Sequence, residues 1–363
     1  MKKLHTLLLL ICCSFCFSLN SNAQQLNVAV AGMNHDHIYV LLHQYQQHQV
    51  NIIGIAEPDK TLRARFQKNY NLPDSIFFND IKSMLTKVHP DAVLAYNPIA
   101  QHIDVAEVCL PMHIPLMVEK PLATTMKQAK RIEELSKQNN TVVLTNYETT
   151  WYSSNQKIKE IVAAKKEGKI IKMIAKDGHQ GPKEIGCSSY FLSWLTDPVL
   201  NGSGALNDFG CYGANLMTWM MNNEKPVAVT AFTHHFKPEV YPKVDDDATI
   251  IIEYKDGTTG MIEASWNWPY NIKDFQVYGK DYSLHAKNGN TLMEYNRWPK
   301  GNEVSLDNSY YPDQIAYLKA VLAHKQSTET DLSSLKNNMI VVEILTAAKK
   351  SAQEGKKIYL KHE

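Results

Sequence analysis

The sequence lacks a net charge of either sign. Its 38 lysines and arginines face 37 aspartates and glutamates, so the formal charge at pH 7 is +1. A chain without a basic excess has no field that would attract nucleic acid or an acidic membrane surface. Cysteine is also scarce, and beyond residue 16 only Cys109, Cys187 and Cys211 occur. This odd, scattered set indicates neither a disulfide framework nor a zinc site.

Long apolar runs are absent too, except at the start of the chain. Residues 1–23 contain two lysines, an apolar stretch and then small residues, with Ser21 and Ala23 spaced as in a signal-peptide cleavage site. The stretch is short for a membrane span, and a lipoprotein anchor is the alternative. No twin arginine is present, so we expect export of an unfolded chain, cleavage near Ala23 and a periplasmic or secreted protein that acquires any cofactor outside the cytoplasm.

Strands and helices alternate through residues 24–146. Short β-rich runs such as LNVAVA are nearly all apolar, as expected of parallel strands covered on both faces. Helical patterns lie between them, and in TMKQAKRIEELSKQ the residues Thr125 and Gln128 have capping-box spacing. This alternation predicts an α/β domain with a doubly wound parallel sheet.

The pattern changes in residues 147–363. Runs such as ATIIIEYKDGTTGMIEASW alternate between apolar and polar residues, and KDGT and KNGN are turn signals. Helical patterns do not separate most of these runs, so we predict an α+β domain with a large, mainly antiparallel sheet. One helix, ALNDFGCYGANLMTWMM, interrupts this part. A second, at about 332–354, is expected to pack back at the domain interface.

Glycine is missing where a dinucleotide-binding loop needs it. After the first strand the chain reads GMNHDH, and of the three expected glycines only Gly32 is present. Asn34 tolerates a left-handed backbone and can keep the turn, whereas His37 cannot replace a glycine that lets helix and strand pack closely. The helix N-terminus still offers amides to a phosphate, and His35 or His37 could add a hydrogen bond.

Four hypotheses for this loop remain open. It is an altered but working dinucleotide site, a degenerate site in a protein that binds only carbohydrate, a metal site, or a loop that only packs. The metal hypothesis uses His35 and His37, for which the sequence shows no third ligand.

Polar residues also follow later strands, where ligands of a doubly wound sheet bind. Glu57 lies about 25 residues beyond Gly32, the spacing of an acidic residue that binds the adenosine ribose, which favours NAD over NADP. The fourth strand ends in AYNPIAQH and the fifth in VEKPLA. Lys120 of the second motif can reach the ligand crevice, and Pro121 restricts the turn that follows.

The helix after Gly204 adds a further group. Asp208 and Tyr212 are four residues apart and Asn215 follows three later, so on one helix they share a face. With Lys120 across a cleft, Tyr212 and Asp208 form a plausible acid/base unit. A nearby ammonium stabilises the phenolate, so we expect it to lower the pKa of Tyr212.

These motifs occur together in one known family. NPIAQH, VEKPLA, GSGALNDFGCYGAN and the closing LSSLKNNMIVVEILTAAKKSAQEGKKI resemble, in order and spacing, the Gfo/Idh/MocA oxidoreductases, named for glucose-fructose oxidoreductase and inositol dehydrogenase. The resemblance implies an NAD(P)-binding Rossmann domain, then an α+β domain whose sheet forms homo-oligomer contacts, in a dimer or tetramer.

The resemblance also implies roles for residues. Lys120 would contact the nicotinamide and the substrate, and Asp208 would hold a substrate hydroxyl. Tyr212 stands where many members have the general-base histidine and where members similar to dihydrodiol dehydrogenase have tyrosine. The residues expected to contact the cofactor are Gly32, Asn34, His35, His37, Glu57, Asn97, Pro98, His102, Glu119 and Lys120.

We therefore predict an exported, NAD-dependent oxidoreductase that moves a hydride between a tightly held nicotinamide and a sugar, glycoside or polyol hydroxyl. Asn215, on the helix face of Tyr212, is a predicted substrate contact. Trp194 is the other, because apolar sugar faces stack on indole. No metal is assigned. Two alternatives remain: redox-neutral glycoside cleavage or epimerisation with the same residues, and a non-catalytic carbohydrate-binding protein.

Overall fold

The structure is a computed structural model that describes residues 25–164, 168–296, 298–307 and 310–361. The predicted signal peptide, residues 1–23, lies outside the described residues. Within those ranges no helix combines the length and apolar character needed to cross a membrane.

The first domain is built on a six-stranded parallel sheet. Its strands are β1 Leu26–Ala31, β2 Val50–Ala56, β3 Phe77–Phe78, β4 Ala92–Ala95, β5 Leu116–Glu119 and β6 Val143–Asn146. Its helices are α1 Ile38–Gln46, α2 Lys60–Tyr70, α3 Ile81–Leu85, α4 His102–Cys109 and α5 Met126–Asn139. The strand order is β3-β2-β1-β4-β5-β6, the doubly wound order in which ligands bind where the strand order reverses. The predicted fold class is confirmed.

Apolar side chains bury both faces of this sheet. Val28 of β1 packs in one cluster with Leu42 and Phe66, whereas the next residue, Ala29, packs on the other face with Ile132. Successive strand residues point to opposite faces, so a strand with helices on both sides must be apolar throughout, as LNVAVA is. At the start of α5 the hydroxyl of Thr125 accepts the Gln128 amide at 3.3 Å, as predicted.

The second domain carries a nine-stranded sheet. Its strands are β7 Ile170–Gly178, β8 Ala228–His234, β9 Asp247–Glu253, β10 Thr259–Ser265, β11 Ile272–Gly279, β12 Ser283–Asn288, β13 Thr291–Tyr295, β14 Asn302–Glu303 and β15 Ile358–Tyr359. The order is β14-β13-β12-β11-β7-β10-β9-β8-β15. Among the described strands of this sheet only the β7–β10 pair is parallel, which confirms the mainly antiparallel sheet.

Six further helices follow the first domain's sheet in the described chain. They are α6 Ser153–Ala164, α7 Ser189–Leu195, α8 Ala205–Asp208, α9 Gly210–Met220, α10 Gln314–Leu322 and α11 Leu335–Glu354. Helix α11 contacts α9 and β8 of the second domain and α5 of the first. Alternate residues of β9 on the other face of the sheet remain half-exposed. Assembly through that face stays a prediction, which light scattering of the purified chain would measure.

Helix α10 departs from the predicted domain division. The sequence assigns it to 147–363, yet Ile315 and Leu318 lie in the same apolar cluster as Val28. It therefore completes the core of the first domain. Its N-terminus is capped by Asp313, whose carboxylate accepts the Ile315 amide at 2.8 Å.

The predicted helix ALNDFGCYGANLMTWMM is also interrupted. It forms two helices, α8 and α9, separated at Phe209 (φ −105°, ψ −33°). Asp208 is the last residue of α8, and Tyr212 lies in the first turn of α9. The two side chains are therefore not related by the geometry of one regular helix.

Asp245 fixes the start of α8. Its carboxylate accepts the amides of Gly204 at 2.8 Å and Leu206 at 2.7 Å. A side chain at Gly204 would place its Cβ 1.8 Å from the Asp245 carbonyl oxygen, so this close approach requires glycine. These contacts set the position of Asp208, one turn later.

Asp245→Asn should lower the free energy of unfolding by about 1–3 kcal/mol, because the amide cannot accept on both of its former oxygens and a buried N–H is left unpaired. Urea unfolding followed by circular dichroism measures this. Asp247→Asn is the matched control, since that carboxylate accepts no hydrogen bond from the described residues. Equal losses in the two variants would contradict the capping role.

Candidate active site

A cavity of about 350 Å³ lies at the carboxyl edge of the parallel sheet, between the two domains. The first domain contributes side chains from the loop after β1 and from the turn after β5. The second contributes side chains from the loop after β7 and from α7, α8, α9 and β11. The ionisable residues that line the cavity are Asp36, His37, Lys120, His179, Cys187, Asp208, Tyr212 and Lys273.

A buried ion pair joins the two domains at this cavity. The Lys120 ammonium donates to Asp208 Oδ1 at 2.5 Å and to the Asp208 carbonyl at 3.0 Å. The other carboxylate oxygen of Asp208 accepts the Trp266 indole N–H at 3.0 Å. The sequence paired Lys120 with Asp208 across a cleft, and the structure brings them into direct contact.

The pair holds both groups in their charged forms. Burial alone would lower the pKa of Lys120, but the Asp208 carboxylate outweighs it and the net pKa is raised. Burial alone would raise the pKa of Asp208, but Lys120 outweighs it and the net pKa is lowered. The cavity therefore contains an ammonium and a carboxylate at neutral pH.

The expected effect of Lys120 on Tyr212 is wrong. The ammonium lies 4.9 Å from the centroid of the Tyr212 ring, against its face, and Lys273 lies 5.1 Å from the same centroid. Burial, with Glu148 nearby, raises the pKa of Tyr212 well above its ordinary value. Cations on a ring face bind its quadrupole, and here they do not offset the burial of the hydroxyl. Tyr212 is a neutral phenol.

The loop after β1 keeps the first feature of a dinucleotide site. Gly32 has φ +78°, and a Cβ there would lie 2.8 Å from Asn97 Cβ. Glu57, directly after β2, is buried and its two oxygens accept the amides of Met33 at 2.8 Å and Asp59 at 2.9 Å. Glu57, which is predicted to bind the adenosine ribose, therefore also fixes the loop after β1.

Two predicted ligand contacts turn out to be packing contacts. His35 is 1% exposed, with its ring 4.7 Å from that of Phe191. Trp194 also packs against His35 and donates its indole N–H to the Asn34 carbonyl at 2.9 Å. Helix α7 of the second domain covers the loop, so neither His35 as a cofactor contact nor Trp194 as a substrate contact is supported.

His37 instead lies at the cavity. It is 35% exposed and its Nδ1 lies 2.8 Å from Glu119 Oε2. Glu119 is fully buried, and although burial would raise its pKa, His37 and Asn146 lower it below the ordinary value. In the EKP motif, Glu119 thus contacts His37 of the first domain, whereas Lys120 contacts Asp208 of the second. Ligand-type atoms of His35, His37 and Glu119 lie within 4.8 Å of one another, so the third group for the metal hypothesis is Glu119.

The NPIAQH turn supports the end of β5. His102 is fully buried and its Nδ1 lies 3.1 Å from the Leu122 carbonyl. Asn97 donates to the Gln101 carbonyl at 3.1 Å, and Pro98 caps the following turn. Burial lowers the pKa of His102 to about 4, so this histidine is a neutral packing group under the EKP turn, and the cofactor contact predicted for it is not supported.

Asn215 does not reach the substrate cavity. It is fully buried and its side-chain amide donates to the Leu332 carbonyl and to Asn337 Oδ1, both at 2.8 Å. It therefore joins α9 to the start of α11. The predicted substrate contact is not supported, because Asn215 lies one turn beyond Tyr212 on α9, where its neighbour is α11 and not the cavity.

Four ionisable cavity residues were not predicted from the sequence: Asp36, His179, Cys187 and Lys273. His179 directly follows β7, and its Nδ1 accepts the Gly181 amide at 2.9 Å. Lys273 forms an ion pair with Glu148. The available signal for His179 was its position at the carboxyl end of a strand, next to the turn residue Gly181; Lys273 had none.

Family models match both domains. Residues 26–147 match the model described as the oxidoreductase family, NAD-binding Rossmann fold. Residues 155–285 match the GFO/IDH/MocA C-terminal domain.

Curated relatives are distant. The trans-1,2-dihydrobenzene-1,2-diol dehydrogenase of Xenopus tropicalis is 26% identical over 211 residues, 57% of this chain and 58% of that protein. The chain thus matches less than two thirds of that relative's length. The D-glucoside 3-dehydrogenase of Escherichia coli strain K12 is 21% identical over 307 residues, 78% of this chain and 83% of that protein.

Solved structures share the fold over nearly the whole chain. An inositol dehydrogenase homolog from Azotobacter vinelandii, complexed with NAD+, has a TM-score of 0.78 at 19% identity and covers 93% of this chain and 98% of its own. The aldose-aldose oxidoreductase of Caulobacter crescentus, complexed with glycerol, has a TM-score of 0.77 at 16% identity and covers 93% and 100%. Because the two family models together match both domains, the chain belongs to the Gfo/Idh/MocA family of oxidoreductases with an NAD-binding Rossmann fold.

Proposed function

We propose that this chain is an exported NAD-dependent oxidoreductase that transfers a hydride between a nicotinamide and a hydroxyl-bearing carbon of a sugar, glycoside or polyol. One observation carries the proposal: the Lys120–Asp208 pair lies in a cavity at the carboxyl edge of the Rossmann sheet. That edge is where the fold binds its dinucleotide. A buried ammonium and carboxylate beside it suit recognition of hydroxyl groups.

The residues at this edge fit the cofactor. Gly32 keeps the left-handed backbone of the tight turn after β1. Buried amide oxygens of Asn34 and Asn97 have no hydrogen-bond partner in the described chain, and they are acceptors for hydroxyl or amide donors of a ligand. Glu57 keeps a carboxylate at the position that binds ribose hydroxyls. These four residues, with Lys120, would hold the dinucleotide.

When bound, the nicotinamide supplies the hydride acceptor or donor. Lys120 and Tyr212, which stays protonated, would each donate a hydrogen bond to the reacting oxygen. Asp208 would accept a hydrogen bond from a neighbouring substrate hydroxyl. The ammonium also stabilises negative charge that develops on the reacting oxygen as its proton leaves.

The proposed substrate class follows the relatives and the cavity. The curated relatives include a D-glucoside 3-dehydrogenase and a levoglucosan dehydrogenase, and a cavity of about 350 Å³ is at the small end of ligand sites. A single sugar ring or a short polyol fits this size. Longer glycosides would extend from the open side.

Export favours a redox-neutral variant of this chemistry as the second candidate. A protein outside the cytoplasm has no pool of free NAD to regenerate its cofactor, so the hydride would return to the same or a second substrate. Transient oxidation of a ring hydroxyl to a ketone acidifies the neighbouring C–H and permits epimerisation or loss of a leaving group. Product analysis separates the two: an accumulating ketone or lactone, or an epimer or free sugar with no net change in cofactor.

The purified protein should contain or bind a nicotinamide. At 100 times its Kd, NAD+ adds about 2.7 kcal/mol to the free energy of unfolding, a shift of several degrees in Tm. NADP+ should give a smaller shift, because the Glu57 carboxylate repels a 2′-phosphate. Mass spectrometry of natively purified protein and thermal unfolding with each cofactor measure this. No bound nicotinamide and no shift with either would favour the non-catalytic carbohydrate-binding alternative.

Tyr212→Phe should lower kcat by about 10²-fold, the usual effect of removing one hydrogen-bond donor to a reacting group, and leave NAD+ affinity unchanged. Steady-state kinetics and titration of the cofactor test both statements. Tyr311→Phe, at a tyrosine outside the cavity, is the control. Wild-type turnover in Tyr212→Phe would remove Tyr212 from the mechanism.

A further inference from the structure

Oxidation of a hydroxyl needs an acceptor for its proton, and the three expected site residues do not provide one. Lys120 is protonated and paired with Asp208. Burial would raise the pKa of Asp208, but Lys120 lowers it below its ordinary value, so this carboxylate is a weak proton acceptor. Tyr212 remains a protonated phenol, since burial raises its pKa.

Most other ionisable groups of the cavity are excluded as well. His179 accepts the Gly181 amide on Nδ1, so in its neutral form Nε2 carries the hydrogen and can only donate. The two oxygens of Asp36 accept the amide and hydroxyl of Ser188, at 2.7 and 2.6 Å. Burial raises the pKa of Cys187 to about 12, and Lys273 is cationic and paired.

His37 is different because its tautomer is set by Glu119. A fully buried Glu119 with a lowered pKa is a carboxylate, which can only accept a hydrogen bond. The Nδ1 of His37, 2.8 Å away, must therefore carry hydrogen. In the neutral imidazole the lone pair is then on Nε2, and no side chain in the described ranges is hydrogen-bonded to that atom.

The carboxylate itself is held in place. Asn146 donates to Glu119 Oε1 at 2.8 Å, and the carbonyl oxygen of the Asn146 side chain accepts the Trp151 indole N–H at 3.1 Å. Because an indole N–H only donates, it fixes which end of the Asn146 amide faces Glu119. The chain Trp151–Asn146–Glu119–His37 thus has one consistent assignment of donors and acceptors.

We propose that His37 and Glu119 form a catalytic dyad in which His37 Nε2 is the general base for the hydroxyl proton. The inference rests on the proposed function. As the substrate C–H hydride passes to an oxidised nicotinamide, the O–H bond breaks, its electron pair forms the carbonyl, and the proton moves to Nε2. The product is an imidazolium paired with the Glu119 carboxylate, and the reverse reaction returns the proton.

The position of His37 gives a reason for the absence of the third glycine. His37 occupies that position, at the start of α1, and lines the same cavity as Lys120. A glycine there could not provide a base. The remaining ionisable groups around it are Asp36 and His35 on its own loop, Lys120 after β5 and Glu148 after β6.

The same three side chains suit a metal ion less well. A metal would need lone pairs on His37 Nδ1 and on the His35 nitrogen nearest to Glu119, Nε2 at 3.9 Å. The His37 amide donates to His35 Nδ1 at 3.1 Å, so the neutral His35 ring carries its hydrogen on Nε2. Both rings therefore point N–H groups at the carboxylate, the arrangement of a hydrogen-bonded cluster.

The tautomer can be measured without substrate. In long-range ¹H–¹⁵N spectra of protein labelled at histidine, with His37 assigned by loss of its signals in His37→Gln, wild type should show Nδ1–H and an unprotonated Nε2. Glu119→Gln should reverse this, because Asn146 retains the carbonyl of the substituted side chain and directs its NH₂ group at Nδ1. Glu107→Gln, at an exposed carboxylate, should change nothing. An Nε2–H tautomer in wild type, or stoichiometric divalent metal that is lost in His37→Gln, would overturn the dyad.

Kinetics test the catalytic role. His37→Ala and Glu119→Gln should each lower kcat by about 10²–10⁴-fold, the range for a general base, and added imidazole should restore part of the activity of His37→Ala only. Wild-type rates in both variants would refute the dyad while leaving the proposed function intact. If wild type itself transfers no hydride to or from any sugar or polyol, the proposed function fails, and the tautomer spectra still decide the hydrogen-bond assignment.

Discussion

The buried ion pair between Lys120 and Asp208 is the contact on which the arrangement of the site depends. It joins the end of β5 to α8, and so links the two domains across the cavity. Leaving one charge of such a pair unpartnered costs on the order of 3–5 kcal/mol, so the domains are held in the geometry that keeps the pair closed. Asp245 at the start of α8 and the Trp266 indole act in support, because both fix the position of Asp208.

The altered loop after β1 is best understood from its new partners. Its amides at Met33 and His35 bond to Glu57 and to the Tyr96 carbonyl, and the second domain packs on it through Trp194. These contacts use backbone groups of the loop, so they do not depend on which residues replace the glycines. The residue at the third glycine position, His37, adds a histidine to the cavity, while Gly32 keeps the one backbone conformation that requires glycine.

Much of the fold and part of the site could be predicted from the sequence. Apolar strands separated by amphipathic helices led to the parallel sheet, and the ends of those strands pointed to Gly32, Glu57 and Lys120.

The errors have physical causes. Asn215 lies one turn beyond Tyr212 on α9, where the packing of α11 places its side chain in the core. Burial of Trp194 and His35 and the return of α10 to the first domain depend on long-range packing, for which local periodicity has no signal. The direction of the Tyr212 pKa depended on whether the lysine faces the hydroxyl or the ring, a matter of a few ångströms.

The central claim is that hydride transfer to a nicotinamide takes place at this cavity. The most direct measurement is a single turnover of the protein with NAD+ and a panel of sugars and polyols deuterated at the hydroxyl-bearing carbons, followed by mass spectrometry of the cofactor. The account predicts that one of these substrates leaves a single deuterium on the recovered nicotinamide, and that Lys120→Met abolishes the transfer. A cofactor recovered without deuterium from every substrate that binds would contradict it.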